Sequence, residues 1–384
     1  MNIKIILALT LVHFTGDFFN SFVTPLLPVF ATEFSLSLLQ IGFISGLGRF
    51  LAFIVQPIVG YLADQHRTRL FSLGGPTLAM VFVSLTGVAP SYAILLFFVA
   101  LASSGSAMFH PATAGMVHTY AGKRLGFSLS IFNMGGTLGF GVGPLFITWF
   151  VATYGLHMTP VTIIPGLVLM AVLFIIVPLP EGEQLKNKTF IGSLQEAFGG
   201  VWKTIAVIWL IMVLRAFSAH AFRTFLPIFY AKAGFPLTSI GFLVSLFTIA
   251  GTISGLLAGY LSYKVGYKKI FYVSYILSTP ALLSLLFASG WWAFPAVFIA
   301  GFVIMATLPL GVALAQELAP KGRSMVSSIM MGFAFGLGGT LSPLVGGLAD
   351  IFSIESVLAV VAFVPLITTG LVHFLPEGQV ARSS

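Results

Sequence analysis

Long apolar stretches alternate with short polar connections along the whole chain. Each stretch reaches the length of about 20 residues that an α-helix needs to cross the hydrocarbon core of a bilayer. The pattern predicts twelve such helices, near residues 4–31, 37–64, 70–89, 91–118, 125–153, 157–179, 203–232, 237–263, 268–288, 291–317, 323–351 and 355–375. The chain is therefore predicted to be an all-α membrane protein with twelve transmembrane helices.

A repeat divides this pattern into two halves. Pro28 matches Pro227 and Gly139 matches Gly338 at one constant offset (227 − 28 = 338 − 139 = 199). Six helices separate the copies, and because six is even, both halves have the same orientation in the membrane. The one long polar connection lies between them. The sequence therefore predicts two six-helix bundles, residues 1–180 and 203–384, joined by a cytoplasmic linker at 181–202.

Composition agrees with a membrane protein. The chain is 58% hydrophobic and 7% charged, with a mean hydropathy of +1.05, whereas soluble domains contain about 25% charged residues. The net charge of +8 arises from basic residues in the short connections. If the N-terminus is cytoplasmic, only Lys232 falls on the other side, so both termini are predicted to be cytoplasmic in the plasma (inner) membrane. No nucleic-acid partner is predicted.

The first apolar segment carries an unusual polar face. His13, Asp17, Asn20 and Thr24 follow one another at i, i+4, i+7 and i+11, which places them on one side of a helix. A carboxylate in hydrocarbon is costly unless it faces protein or a wet cavity. We therefore predict that this face lines a cavity and that Asp17 carries a proton, which His13 shares. The alternative is that Asp17 only holds Arg49, while His13 or His110 titrates.

Cations outnumber carboxylates at mid-depth. Against Asp17 alone stand three arginines, and an anionic substrate would supply the missing negative charge through paired hydrogen bonds to a guanidinium. The predicted substrate-binding residues are Arg49, His110, Asn133, Arg215, His220, Arg223 and Asn20. Structural alternatives remain open. Asp17 and Arg49 would then form an ion pair, Arg223 would extend to the surface, His220 would pack, and His110 would bond a backbone carbonyl.

The parallel repeat and one connection resemble the major facilitator superfamily, whose site lies at the membrane midplane between the halves. The segment Gly60-Tyr61-Leu62-Ala63-Asp64, followed by Arg67 and Arg69, resembles the signature between helices 2 and 3 of that family. The resemblance implies a gating role for Gly60, Asp64, Arg67 and Arg69. In the second copy Tyr263 stands at the position of Asp64, so an asymmetric gate is expected.

Further motifs resemble the fosmidomycin-resistance branch of this family. The markers are His13-x-x-x-Asp17, Phe109-His110-Pro111, Ala315-Gln316-Glu317-Leu318, Gly332-Phe333-Ala334-Phe335-Gly336 and Ala349-Asp350. The branch implies proton-driven export of a phosphonate antibiotic or a related compound. Two positions depart from it, Ala112 where glutamate is frequent and Asn133 where glutamine is frequent.

A glycine-rich stretch in helix 5 has two explanations. Gly139-x-x-x-Gly143-Pro144 resembles part of the signature of drug–proton exchangers, and glycines at this density also allow close helix packing. The leading hypothesis is a monomeric, proton-coupled antiporter that exports a small anionic or amphiphilic compound by rocker-switch alternating access. The alternative is a proton-coupled importer of a small anion. The chain shows no phosphate-binding loop, nucleophile elbow, metal-ligand spacing or cysteine, so no enzyme activity, metal or cofactor is predicted.

Overall fold

Twelve membrane-length apolar helical spans make up the described part of the chain. The computed structural model describes residues 1–65, 69–179, 200–318 and 329–376. The spans are α1 Ile3–Glu33, α2 Leu38–Gln65, α3 Leu70–Val88, α4 Tyr92–Arg124, α5 Leu125–Tyr154, α6 Leu156–Ile176, α7 Trp202–Lys232, α8 Leu237–Val265, α9 Tyr267–Phe287, α10 Gly290–Leu318, α11 Ala334–Ile351 and α12 Ile354–Val372. The predicted all-α membrane fold is confirmed.

Several spans are built from two helical pieces. In α1, Ile3–Asn20 is followed by Val23–Glu33. Pro25 explains this break, because it has no N–H to donate and its ring clashes with the carbonyl of residue 21. Proline also opens the second piece of other spans. The pieces are Ala293–Met305 and Leu308–Leu318 in α10, Ala334–Thr340 and Ser342–Ile351 in α11, and Ile354–Val361 and Val364–Val372 in α12.

Helical turns that are tighter or wider than those of an α-helix occur at the ends of several spans. The 3₁₀ turns are Thr86–Val88 in α3, Gly122–Arg124 in α4, Leu156–Thr162 in α6 and Gly290–Trp292 in α10. π-helical turns occupy Leu70–Gly74 in α3 and Ile329–Phe333 before α11.

The chain forms two compact units, which are described separately. The first comprises Met1–Leu36, Leu47–Lys186 and Tyr230–Ser245. Within it α1 packs most extensively against α5, α3 packs against α4, and α1 also contacts α3 and α4. Helix α1 is therefore the central element of this unit, which explains why His13 and Asp17 are buried.

The second unit comprises Ser37–Gly46, Asn187–Phe229 and Leu246–Ser384. Here α9 packs against α10 and α12, and Lys268 donates to the carbonyls of His373 and Leu375. An apolar core of the unit includes Ile208, Tyr275, Leu310, Ala334 and Val372. The predicted division at residues 181–202 stays a prediction, because most of that segment lies outside the described residues.

The sequence repeat reappears as a repeated helix contact. In the second unit, a Cβ built on Gly42 of α2 would lie 2.7 Å from the Cα of Pro343 in α11. In the first unit, a Cβ on Gly241 of α8 would lie 2.7 Å from the carbonyl oxygen of Pro144 in α5. These positions correspond at the repeat offset (241 − 42 = 343 − 144 = 199). Both contacts need glycine, because any side chain would meet backbone.

One of these two contacts carries an additional charged cap. The Asp350 carboxylate at the end of α11 accepts hydrogen bonds from the backbone N–H groups of Leu38 and Leu39, each at 2.8 Å. It satisfies donors that the first turn of α2 cannot satisfy itself, and its charge complements the positive end of the helix dipole. The repeat places Val151 at the corresponding position (350 − 199 = 151). The cap is therefore a feature of one copy alone.

Candidate functional site

Two histidines hold the carboxylate of Asp17. His13 lies one turn before Asp17 on α1, and its Nε2 is 3.1 Å from Oδ2. His110 approaches from α4, with its Nε2 3.2 Å from Oδ1. Asp17 is only 3% exposed. The i, i+4 spacing predicted the pairing of His13 with Asp17, whereas His110 was predicted to bind substrate. The structure brings all three groups into one cluster.

Backbone carbonyls fix both imidazole rings. His13 Nδ1 lies 2.9 Å from the carbonyl oxygen of Phe132 in α5, and His110 Nδ1 lies 2.8 Å from the carbonyl oxygen of Ser106 in its own helix. A carbonyl oxygen only accepts, so each Nδ1 carries the hydrogen and donates. His110 therefore bonds a backbone carbonyl and contacts Asp17 at the same time. In both rings, Nε2 is the atom left to meet the carboxylate.

The two contacts with Asp17 differ in quality. Although His110 Nε2 lies 3.2 Å from Oδ1, this oxygen makes no well-aligned hydrogen bond. We therefore treat the contact with His110 as an ion-pair contact, because directional hydrogen bonding requires alignment as well as distance. The His110 side chain is 32% exposed and that of His13 is 9% exposed. His110 is the looser and more accessible partner.

Aromatic rings pack around the histidines. The Phe109 ring stacks on His110 with ring centroids 4.0 Å apart, and the Phe132 ring lies 4.2 Å from that of His13. His13, Asp17 and His110 also place their ligand atoms within 4.8 Å of one another, close enough for a metal ion. The two separations between Nε2 and a carboxylate oxygen, 3.1 and 3.2 Å, lie within ion-pair distance.

The glycines of α5 form a close seam with α1, which we call the glycine seam: Gly135, Gly136, Gly139 and Gly143. A Cβ on Gly139 would lie 2.6 Å from the carbonyl oxygen of Phe14, and one on Gly135 would lie 2.5 Å from that of Thr10. A Cβ on Gly136 would lie against the His13 Nε2 atom and 2.6 Å from Asp17 Oδ2. The structure shows the close helix packing that these glycines allow. This packing brings α5 directly against the cluster of His13, Asp17 and His110.

Replacing Gly136 with alanine is expected to displace the His13–Asp17 pair, because the added methyl group has no free space. We expect a loss of about 1–3 kcal/mol of stability, the usual cost of overpacking, together with impaired pH-driven transport. Thermal unfolding in detergent and flux in proteoliposomes measure the two effects. Gly115→Ala on α4 is the matched control, since a Cβ there meets nothing within 4 Å. Equal behaviour of the two variants would contradict the packing argument.

The remaining predicted residues of the first unit surround this cluster unevenly. Arg49 of α2 is half-buried and lies within electrostatic reach of His110. The structure shows ion pairs of Asp17 with two histidines, and Arg49 has interactions of its own within the protein. Asn20 is half-buried and Asn133 is exposed. Their predicted roles in substrate binding stay predictions.

Arg215 of α7 is a buried cation in the second unit. It is 3% exposed, its guanidinium lies 4.9 Å from the centroid of the Phe335 ring, and its Nη1 is 3.4 Å from the sulfur of Met305. Its Nε has no hydrogen-bond partner among the described residues. Among the described residues, the structure shows no ion pair between Arg215 and a carboxylate. A buried cation without such a partner is costly.

Two further predicted residues lie on α7 beyond Arg215. His220 and Arg223 are both half-buried, and both interact with other groups of the protein. Their predicted roles in substrate binding stay predictions.

The predicted gating segment is described only in part. Arg67 lies outside the described residues, as do the side-chain surroundings of Gly60 and Asp64. Arg69 is described, and its guanidinium lies 4.8 Å from the centroid of the Phe174 ring. Beside it a cavity of about 920 Å³ is lined mainly by apolar residues of α3 and α6, among them Leu73 and Met170.

Comparisons with known proteins decide the family. The model of the Major Facilitator Superfamily matches residues 9–343, with a second match at 208–383. The chain belongs to this superfamily. Its relatives include the fosmidomycin resistance protein of Escherichia coli K12, 29% identical over 382 residues, covering 97% of this chain and 92% of the relative. The quinolone resistance protein NorA of Staphylococcus aureus is 23% identical over 373 residues, covering 93% and 92%.

Solved structures of this superfamily share the fold. A bacterial homologue of the human lysosomal transporter Spinster, in an inward-facing and occupied conformation, matches with a TM-score of 0.82 at 17% identity, covering 96% of this chain and 95% of the other. The nucleoside transporter NupG matches with a TM-score of 0.78 at 13% identity, covering 97% and 98%. The predicted superfamily is confirmed, and the chain is a multi-pass membrane transporter rather than an enzyme.

Proposed function

We propose that this superfamily member is a proton-coupled antiporter that exports a small anionic or amphiphilic compound by alternating access. The observation that carries the proposal is the buried cluster of His13, Asp17 and His110. A carboxylate between two imidazoles in a transmembrane helix is costly for a purely structural role. Groups of this kind exchange protons near neutral pH, and relays of acidic residues and histidines mark proton paths in transporters.

An anionic substrate is supported by the second unit. Arg215 is buried against Phe335 and Met305 without a carboxylate within ion-pair distance among the described residues. A phosphonate or carboxylate would supply the missing charge and occupy the guanidinium through paired hydrogen bonds. The name of the relative from Escherichia coli refers to resistance to fosmidomycin, a phosphonate, and fits this chemistry.

Export is favoured over import because the named relatives are resistance proteins. We propose a plasma-membrane location with both termini in the cytoplasm, an orientation that the distribution of lysine and arginine supports. A monomer is proposed as well. Arg49, Asn20, Asn133, His220 and Arg223 are proposed to complete the substrate site. Gly60, Asp64, Arg67 and Arg69 are proposed to form the gate.

Proteoliposomes test the proposal directly. Purified protein is reconstituted with a pH-sensitive dye inside, a pH gradient is imposed, and fosmidomycin or one of a panel of phosphonates and organic anions is added. Antiport predicts proton movement opposite to that of the added compound. Movement in the same direction would replace the exporter with the importer. A proton flux that no compound in the panel changes would contradict the proposed substrate class.

A further inference from the structure

We infer that the cluster of His13, Asp17 and His110 holds two exchangeable protons, and that His110 carries the second of them. This inference rests on the proposed function and deepens it, because it sets the number of protons exchanged for each substrate. It also changes the role of His110 from substrate binding to proton coupling. The number of protons follows from which atoms hold hydrogens in the observed geometry.

In both rings, the Nδ1 hydrogen is donated to a backbone carbonyl oxygen. The acceptors are the carbonyl oxygens of Phe132, for His13, and Ser106, for His110. A neutral imidazole has one N–H, so its Nε2 would then present a lone pair. Each Nε2 lies 3.1–3.2 Å from an oxygen of Asp17. With neutral rings and an ionised carboxylate, each contact would place an unprotonated nitrogen beside a negatively charged oxygen.

Each of the two contacts becomes attractive when one proton is added. The first proton goes to one Nε2, or to the facing carboxylate oxygen, and the second proton goes to the other contact. The cluster then carries a net charge of +1, compared with −1 when neither proton is present. A single added proton leaves one contact repulsive inside a buried site, where unpaired polar groups are most costly. The observed arrangement therefore corresponds to two protons.

The two protons differ in access. His13 is 9% exposed in its side chain and is enclosed by Phe132 and the glycine seam, whereas His110 is 32% exposed and lacks a well-aligned bond to Oδ1. The proton at His110 is the one placed to exchange with solvent first. The proton at His13 reaches solvent by way of Asp17, since the Nδ1 of His13 is occupied by a carbonyl.

Among the described residues, Arg49 of α2 is a further charged group that acts on His110 electrostatically. The contacts that the structure shows to the cluster from α4 and α5 involve Phe109, Ser106, Phe132 and Gly136, and none of these four titrates. Binding of an anion near Arg49 would reduce its positive potential at His110. Proton loading at His110 is therefore the step that a substrate on Arg49 would influence.

Transport stoichiometry measures the second proton. At zero membrane potential, each coupled proton contributes about a tenfold substrate gradient for every pH unit. Equilibrium fosmidomycin gradients are measured at several imposed pH differences for the wild type and for His110→Asn. The gradient in the variant should be about tenfold shallower per pH unit, because asparagine carries no proton. The titration of the phosphonate itself cancels in this comparison.

His118→Asn supplies the matched control, because this residue lies on the same helix and is exposed. It should keep the wild-type slope. Equal slopes in the wild type and in His110→Asn would overturn the inference, and so would a shallower slope in His118→Asn of the same size.

A second measurement needs no transported compound, so it separates a failure of this inference from a failure of the proposed function. Nitrogen NMR of ¹⁵N-histidine-labelled protein in bilayers counts the protonated rings, and infrared spectroscopy detects a protonated Asp17. His13→Asn and His110→Asn assign the two rings. We expect the three groups to share two added protons at the pH at which transport operates. A total of one would refute the inference even if fosmidomycin were transported.

Discussion

Replacing Asp17 with asparagine will reduce pH-driven transport to the background of protein-free liposomes. The amide keeps the size of the side chain but removes the charge that two protonated rings require, so the cluster can no longer alternate between loaded and empty states. Exchange of substrate across the membrane without a pH gradient should persist, since Arg215 is unchanged. Flux driven by an imposed pH gradient, measured beside substrate counterflow, separates the two activities.

Glu33→Gln is the matched control for this substitution, because Glu33 is exposed at the end of the same helix. It removes a carboxylate from α1 without touching the cluster and should leave both activities intact. Undiminished pH-driven flux in Asp17→Asn would exclude Asp17 as the proton carrier. Loss of counterflow as well would show that Asp17 also positions the substrate.

Replacing Arg215 with alanine will weaken binding of an anionic substrate by about 2–5 kcal/mol, the range found when one member of a buried charge pair is removed. The guanidinium is 3% exposed, so water cannot screen the lost interaction. Binding of fosmidomycin to the detergent-purified protein, followed by isothermal titration calorimetry, measures the effect. Arg215→Lys should recover only part of it, since an ammonium lacks the planar pair of donors.

Arg124→Ala provides the comparison for a general loss of positive charge, because Arg124 is exposed. Thermal unfolding of each variant shows whether the site or the fold has changed. An unaltered affinity in Arg215→Ala would remove this residue from the substrate site. A selective loss of affinity for uncharged amphiphiles, with anions unaffected, would assign Arg215 to packing through Phe335 instead.

The local sequence pattern was sufficient to predict the transmembrane spans and one of the two histidine contacts of Asp17. Twelve spans follow from apolar length alone, and the pairing of His13 with Asp17 follows from helical periodicity. The sequence placed His110 among the polar residues of the membrane interior. Its pairing with Asp17, however, joins residues 93 positions apart (110 − 17 = 93). Such a contact depends on how α4 packs against α1, which periodicity does not specify. From the sequence, Arg49 was only an alternative partner for Asp17.

The orientation of the two histidine rings has no side-chain signal in the sequence. The carbonyls of Phe132 and Ser106 determine which nitrogen of each histidine faces Asp17, yet every residue has a carbonyl. The glycines of α5 were visible, but close packing and an exchanger signature both account for them. The Asp350 cap on α2 was noticed only as part of a motif. Its role appears when the first turn of α2 is placed beside it.

The glycine seam has a consequence for how the coupling properties of this protein can change over evolution. Where α5 meets α1 at Gly135 and Gly139, a side chain would meet backbone, so no rotamer change can adjust the fit. Substitutions there would shift α1 against α5, and these two helices together hold His13 and Asp17 in place. The adjustable partner is His110 on α4. Natural variation or directed evolution that alters proton coupling should therefore accumulate on α4 and the residues that support it.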